Sequence, residues 1–261
     1  MIQRKGPIEN LVMDGGYASI FRTIGVIGDS LASGEHVSYT KDKGMGWNDY
    51  NEYSWGQFMG RKIGSKVYNF SCGGLMAKTF FTEYIKNADP KVFSKEKACQ
   101  AYIIALGVND LFRINEYSQG FGSICDIDFN NPENNKDSYC GWYGKIVQSI
   151  KKLEPKARVF LMTTPYETFT NDSRRADIKD FLLKLQKCFE FTYVINLYDN
   201  LTFDQEYVDK QYIDGHLTAM GYKDVADIIM TYIDYIIRSN QEDFLQVAFI
   251  GKDVYNEKYR W

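Results

Sequence analysis

Ile24-Gly25-Val26-Ile27-Gly28-Asp29-Ser30-Leu31 is the stretch on which the fold turns. A mostly β-branched apolar run ends abruptly in a glycine, an acid and a serine. Such a run reads as a buried strand stopping at a tight turn. Open α/β sheets hold their ligands at the carboxyl ends of strands, so Ser30 stands where a functional hydroxyl belongs. Taken alone, Ser30 serves equally well as the N-cap of a following helix. The rest of the chain decides between the two.

Outward from this stretch the pattern repeats. Val67–Phe70, Ala101–Leu106, Val159–Thr163 and Val194–Leu197 read as four further short strands. Ala101–Leu106 is nearly all apolar, as strands covered on both faces are. Helical spacing marks the segments between them. Trp55, Phe58 and Met59 share one face, and a helix follows from about Met76 to Asn87. Ile146, Val147, Ile150 and Leu153 form another, stopped by Pro155. Ile178 to Phe189 gives a long amphipathic helix with Asp172 or Ser173 as its cap, and Ile228 to Ile237 gives the clearest helix. The alternation predicts one α/β domain over residues 1–261: a flavodoxin-like three-layer α/β/α fold with a five-stranded parallel sheet. Its core runs from about residue 24 to 237, with 238–261 as a C-terminal extension. The polar, Gly-rich segment from Ser30 to Asn51 reads as a loop. Gln119–Gly141 reads as a long loop, either a functional rim or a linker, and Phe244–Ile250 as an edge strand.

Composition narrows the partners. Of 261 residues, 44% are hydrophobic and 25% charged, which suits a globular core. A net charge of −3 gives no support to nucleic acid or to an anionic membrane as partner. No uncharged stretch reaches the ~18 residues that span a bilayer. Met1–Pro7 carries basic residues without the apolar run of a signal peptide, so a cytoplasmic location is expected. Cys72, Cys99, Cys125, Cys140 and Cys188 are odd in number and form no CxxC pair. They read as reduced, mostly buried thiols rather than a disulfide frame or zinc site. There is no P-loop and no GxGxxG, and neither a cofactor nor a metal is expected.

Three strands in a row end alike, in Gly28-Asp29-Ser30, in Gly73-Gly74 and in Gly107-Val108-Asn109-Asp110. At neighbouring strand ends these supply a hydroxyl, glycine amides and a carboxamide, the inventory of an acyl-transfer site. The base must come from one of two histidines. His36 lies in the segment read as a loop, and His216 follows the fifth strand just before the last helix.

With these residues in place, the chain resembles the SGNH hydrolases of the GDSL esterase/lipase superfamily. The resemblance runs from about Ile24 to Ile237 through four ordered blocks: Gly28-Asp29-Ser30-Leu31, Asn69-Phe70-Ser71-Cys72-Gly73-Gly74, Gly107-Val108-Asn109-Asp110 and His216-Leu217-Thr218-Ala219-Met220-Gly221-Tyr222. It implies Ser30 as nucleophile, His216 as general base, and an oxyanion hole made by the Ser30 and Gly74 amides and the Asn109 side chain. It also implies a small-molecule ester substrate, an acylated carbohydrate among the candidates; a binding module that has lost turnover and a lipase or thioesterase are the alternatives. One position departs from the pattern. The family places its acid three residues before the histidine, where this chain has Ile213, with Asp214 one place later. Asp214 is favoured as the triad acid because Gly215 can bend the chain between it and His216. Asp209 or a backbone carbonyl would fill the role otherwise.

Overall fold

Five strands make the central sheet of this computed structural model, which describes residues 2–167 and 174–258. They are β1 (Thr23–Gly28), β4 (Lys66–Asn69), β5 (Ala101–Ala105), β6 (Arg158–Met162) and β7 (Thr192–Ile195). The spatial order is β4-β1-β5-β6-β7 and every pairing is parallel. Counting the sheet strands alone, that is order 2-1-3-4-5, the flavodoxin-like arrangement, whose switch point lies between the first and third. Ser30 follows the first of these strands and Asn109 the third, so both flank that crevice.

Side chains along each strand divide by the two-residue period. Ile24, Val26, Ile103 and Phe160 enter one core, whereas Ile27, Tyr102, Ile104, Val159 and Leu161 enter the other. Helices α2 (Trp55–Ile63) and α7 (Ala219–Ser239) cover the first face. The second is covered by α3, a helix over 77–87 with a π turn at Phe80–Tyr84, by α5 (Tyr139–Leu153) and by α6 (Arg174–Leu185). Serine and threonine set the starts: Ser54 accepts from the Gln57 amide, Ser138 from Gly141 and Thr218 from Gly221. The cap expected at Asp172 or Ser173 lies outside the described residues. Gly25 has a packing role, since a Cβ there would meet the Tyr102 ring at 2.6 Å.

Three expectations change. The segment after Ser30 is a short helix, α1 (Ser30–Ser33), followed by a hairpin of β2 (Glu35–Thr40) and β3 (Gly44–Asp49). Gly44, the first residue of β3 after the turn at 41–43, has φ 71°, in the left-handed region that glycine adopts freely. Phe244–Ile250 forms no edge strand; Gln241–Phe244 is helical and Val247–Phe249 a 3₁₀ turn. Phe244, Val247 and Ile250 are the buried apolar residues there, a spacing of three that a helical turn brings to one side. Finally, the five cysteines are all free, but only Cys99 and Cys140 are buried; Cys125 and Cys188 are exposed. The segment 119–141 is folded on itself by its own polar groups. Asp126 accepts from Ser138 Oγ at 2.8 Å and pairs with Lys136 at 3.1 Å, and Asn135 donates to Gln148 on α5 at 2.8 Å.

Among the described residues, no helix is long and apolar enough to cross a membrane.

Candidate active site

Ser30 opens α1 directly beyond β1. Asp29 is the N-cap, its carboxylate accepting from the Leu31 amide at 3.0 Å, and Gly34 ends the helix at φ 84°. Gly28 allows the helix to sit so close: a Cβ there would collide with Ala32. Asn69, at the end of β4, donates to the Ala32 carbonyl at 3.0 Å and ties α1 to the sheet. Asp29 is 3% exposed. Burial above all pushes its carboxyl up to about 7, against the opposing pull of the Leu31 amide.

Gly74 has φ 71° and nothing within 4 Å of where a Cβ would stand. Its amide meets no protein acceptor among the described residues. Asn109, in α4 (Val108–Phe112), lies beside it: the Asn109 carboxamide donates to the Leu75 carbonyl at 3.3 Å, and Arg113 donates to the Gly74 carbonyl. Asp110, fully buried, fastens this corner by accepting from the Ala77 amide at 2.9 Å and from the Tyr117 hydroxyl. The Gly74 amide and the second N–H of Asn109 are thus a pair of neighbouring donors with capacity to spare.

His216 sits on β9 (His216–Leu217), the second strand of a hairpin with β8 (Tyr212–Ile213). Asp214 and Gly215 are its two turn residues, at φ 47° and 79°, the both-positive pattern of an Asp-Gly type I′ turn. β9 packs against α1 and β2. Two contacts link α1, β2 and α7: the Tyr222 hydroxyl lies 3.3 Å from the Ser30 carbonyl and 2.7 Å from that of Glu35.

The contact expected of the Asp214 carboxylate is made by the Asp214 backbone. His216 Nδ1 lies 3.0 Å from the Asp214 carbonyl oxygen, while the Asp214 residue itself is exposed. The type I′ turn explains this. It sets Ile213 opposite His216 and folds the intervening carbonyl toward the ring. Asp209 is exposed on the helix Gln205–Gln211 and accepts from Gln205 at 2.7 Å. His36 is a packed residue: its Nδ1 donates to the Gly34 carbonyl at 2.9 Å, and its ring lies among Tyr50, Tyr53 and Tyr222.

Glu35 is the residue that sequence reading missed. Its Oε1 lies 3.3 Å from His216 Nε2, and it is 8% exposed. Across the hairpin it faces Asp49, whose carboxylate accepts from Ser33 Oγ and from the Gly73 amide at 3.3 Å. Burial raises the Glu35 carboxyl above the usual range, His216 opposes this, and Asp49 adds to it. The imidazole therefore lies between two acceptors. With Nδ1–H given to the Asp214 carbonyl, the short contact at Nε2 needs a proton, carried either by the ring or by Glu35. The alternation of Val37 and Tyr39 against Met45 and Trp47 around Asp42-Lys43-Gly44 was the available signal for the hairpin, and so for Glu35.

A cavity of about 400 Å³ is lined by chain neighbours of three of the candidate residues. Leu31 beside Ser30, Val108 beside Asn109, and Gly215 and Leu217 on either side of His216 all line it, with Phe112 and Met162. Hydroxyl, carboxamide and imidazole thus come from segments that share one cavity.

The chain matches the GDSL-like lipase/acylhydrolase family over residues 26–223. It belongs to that family. Among solved structures, this GDSL-like hydrolase is similar to a family two carbohydrate esterase from Clostridium thermocellum in complex with cellohexaose, with a TM-score of 0.58 and 13% identity, covering 83% of this chain and 65% of that one. It is also similar to a carbohydrate esterase family 2 enzyme with a carbohydrate-binding domain from Myceliophthora fergusii, with a TM-score of 0.58 and 18% identity over 83% and 67% of the two chains. A family two carbohydrate esterase from Cellvibrio japonicus gives 0.57 and 16% over 83% and 62%. At such identities the likeness is one of fold. The chain spans about two thirds of the length of these esterases. No curated protein matches it.

Proposed function

We propose that this GDSL-like hydrolase removes short acyl groups, acetyl foremost, from a carbohydrate or another small alcohol through an acyl-enzyme on Ser30. The observation that carries the reading is the shared cavity, walled by the chain neighbours of Ser30, Asn109 and His216. Ser30 Oγ attacks the ester carbonyl and gives its proton to His216 Nε2. The carbonyl oxygen, now negative, meets the Gly74 amide, the Asn109 carboxamide and the Ser30 amide. His216 passes the proton to the departing alkoxide, and water repeats the sequence to release the acid. The Asp214 carbonyl fixes the imidazole tautomer by taking Nδ1–H. Before Nε2 can accept from Ser30, the proton at the Glu35 contact must leave it.

The same cavity favours a second reading for the acyl group. An apolar space of about 400 Å³ beside the nucleophile has room for more than acetyl. Release from acetylated sugars and from p-nitrophenyl esters of rising chain length separates the two. A maximum at acetyl supports the first reading; a maximum at a longer chain transfers the assignment to lipase or thioesterase chemistry. No turnover on any ester, from a correctly folded protein, would leave a binding module.

A further inference from the structure

Among the described residues, the outer part of one apolar face of the β2–β3 hairpin lies open to solvent. Facing residues of an antiparallel pair project to the same side, and that side alternates along each strand. Glu35–Asp49, Val37–Trp47 and Tyr39–Met45 are the paired positions of one face, whereas Ser38–Gly46 and Thr40–Gly44 belong to the other. Tyr39 is 72% exposed, Trp47 53% and Met45 47%. Hairpins ordinarily turn such a face to the core, and a contiguous exposed one marks a binding surface.

The position of this face is what gives it an occupant. Its first pair ends at the catalytic groups, since Glu35 Oε1 is 3.3 Å from His216 Nε2 and Asp49 holds the Gly73 amide. The next two pairs step outward by two residues each, about 14 Å in all at ~3.4 Å per residue. The stripe therefore runs from the imidazole toward solvent. An indole and a phenol offer flat faces to the C–H faces of sugar rings, leaving the ring hydroxyls in water. Two carboxylates at its root disfavour an anionic polymer or an anionic lipid surface.

We infer that the Val37–Trp47 and Tyr39–Met45 face of the hairpin is a platform for the glycan portion of the substrate, a neutral oligosaccharide stacked on Trp47 and Tyr39 with its acylated unit at Ser30. This rests on the ester-hydrolase reading above and names the alcohol. The reach exceeds one sugar ring, so affinity rises with chain length beyond the acylated unit.

The test compares wild type, Trp47→Ala, Trp47→Phe and Tyr39→Ala on p-nitrophenyl acetate and on an acetylated neutral oligosaccharide. The ratio of kcat/KM for oligosaccharide to that for the small ester should fall about tenfold or more in Trp47→Ala, through KM, and recover in part in Trp47→Phe. In parallel, deacylated oligosaccharide is titrated into Ser30→Ala with and without Trp47→Phe. Tryptophan emission should change on titration only where Trp47 is present. An unchanged ratio with no emission change overturns the platform, as does a monomer–dimer equilibrium abolished by Trp47→Ala, which would make the face a self-interface. If wild type hydrolyses neither ester, the enzymatic reading fails, and the titration still decides the platform.

Discussion

Asp214→Asn separates the two ways of holding His216. The imidazole bond runs from Nδ1 to the Asp214 carbonyl at 3.0 Å, and this carbonyl survives the substitution. Asn-Gly is also a preferred type I′ dipeptide, so the turn with φ 47° and 79° is retained. What is lost is one exposed negative charge. In water such a charge at 4 Å contributes about 1 kcal/mol to a developing imidazolium, about fivefold in rate, and less with salt. The structure thus predicts a fall in kcat of at most about fivefold, diminishing as ionic strength rises. A carboxylate acting as triad acid would cost ~10⁴ instead, by favouring the wrong tautomer. The assay is steady-state p-nitrophenyl acetate hydrolysis at low and at high salt, with circular dichroism to confirm folding. A fall of a thousandfold or more, insensitive to salt, would refute the backbone-carbonyl account.

Glu35→Gln keeps the volume beside His216 Nε2 and removes the charge that favours a proton there. Between pH 5 and pH 8, kcat/KM of the wild type should therefore fall more steeply on acidification than that of the variant; parallel profiles would deny Glu35 any role at the base. Asn109→Ala should lower kcat by ~10²–10³ with little change in KM, because its N–H matters where oxyanion charge develops; a pure KM effect would make it a substrate-binding group. Asp29 supplies a stability test with a defined sign. Its carboxyl stands at about 7 in the fold against the usual 3.8, so the protonated form favours folding, fully below pH 3.8 and progressively less as pH rises through 7. That contribution is on the order of 4 kcal/mol. Asp29→Asn, which keeps an acceptor for the Leu31 amide, should raise Tm more at pH 8 than at pH 5, and an equal shift at both would contradict it.

The central sheet was legible because parallel strands covered on both faces read as unbroken apolar runs, as Ala101–Ala105 does. Three of the candidate site positions were legible for a related reason: Ser30, Gly74 and Asn109 follow closely on the ends of sheet strands, whereas His216 lies on a separate hairpin well beyond the fifth. At Asp214 the local sequence favoured the carboxylate and kept a backbone carbonyl as an alternative, since which of them reaches the ring depends on turn dihedrals. Glu35 was hidden because its contact with His216 joins distant parts of the chain. The hairpin that carries it exposes its apolar alternation instead of burying it, which made it look like a loop. In Phe244–Ile250 the apolar content suggested a strand, whereas the spacing of Phe244, Val247 and Ile250 already favoured helical turns.

The most direct test of the account is covalent labelling of the nucleophile. Wild-type protein treated with a fluorophosphonate should gain one adduct, mapped by peptide mass spectrometry to Ser30, with esterase activity lost in step with labelling. Ser30→Ala, shown to be folded, should neither label nor turn over. An adduct on any other residue, or esterase activity that persists in Ser30→Ala, would contradict the assignment of Ser30 as the nucleophile.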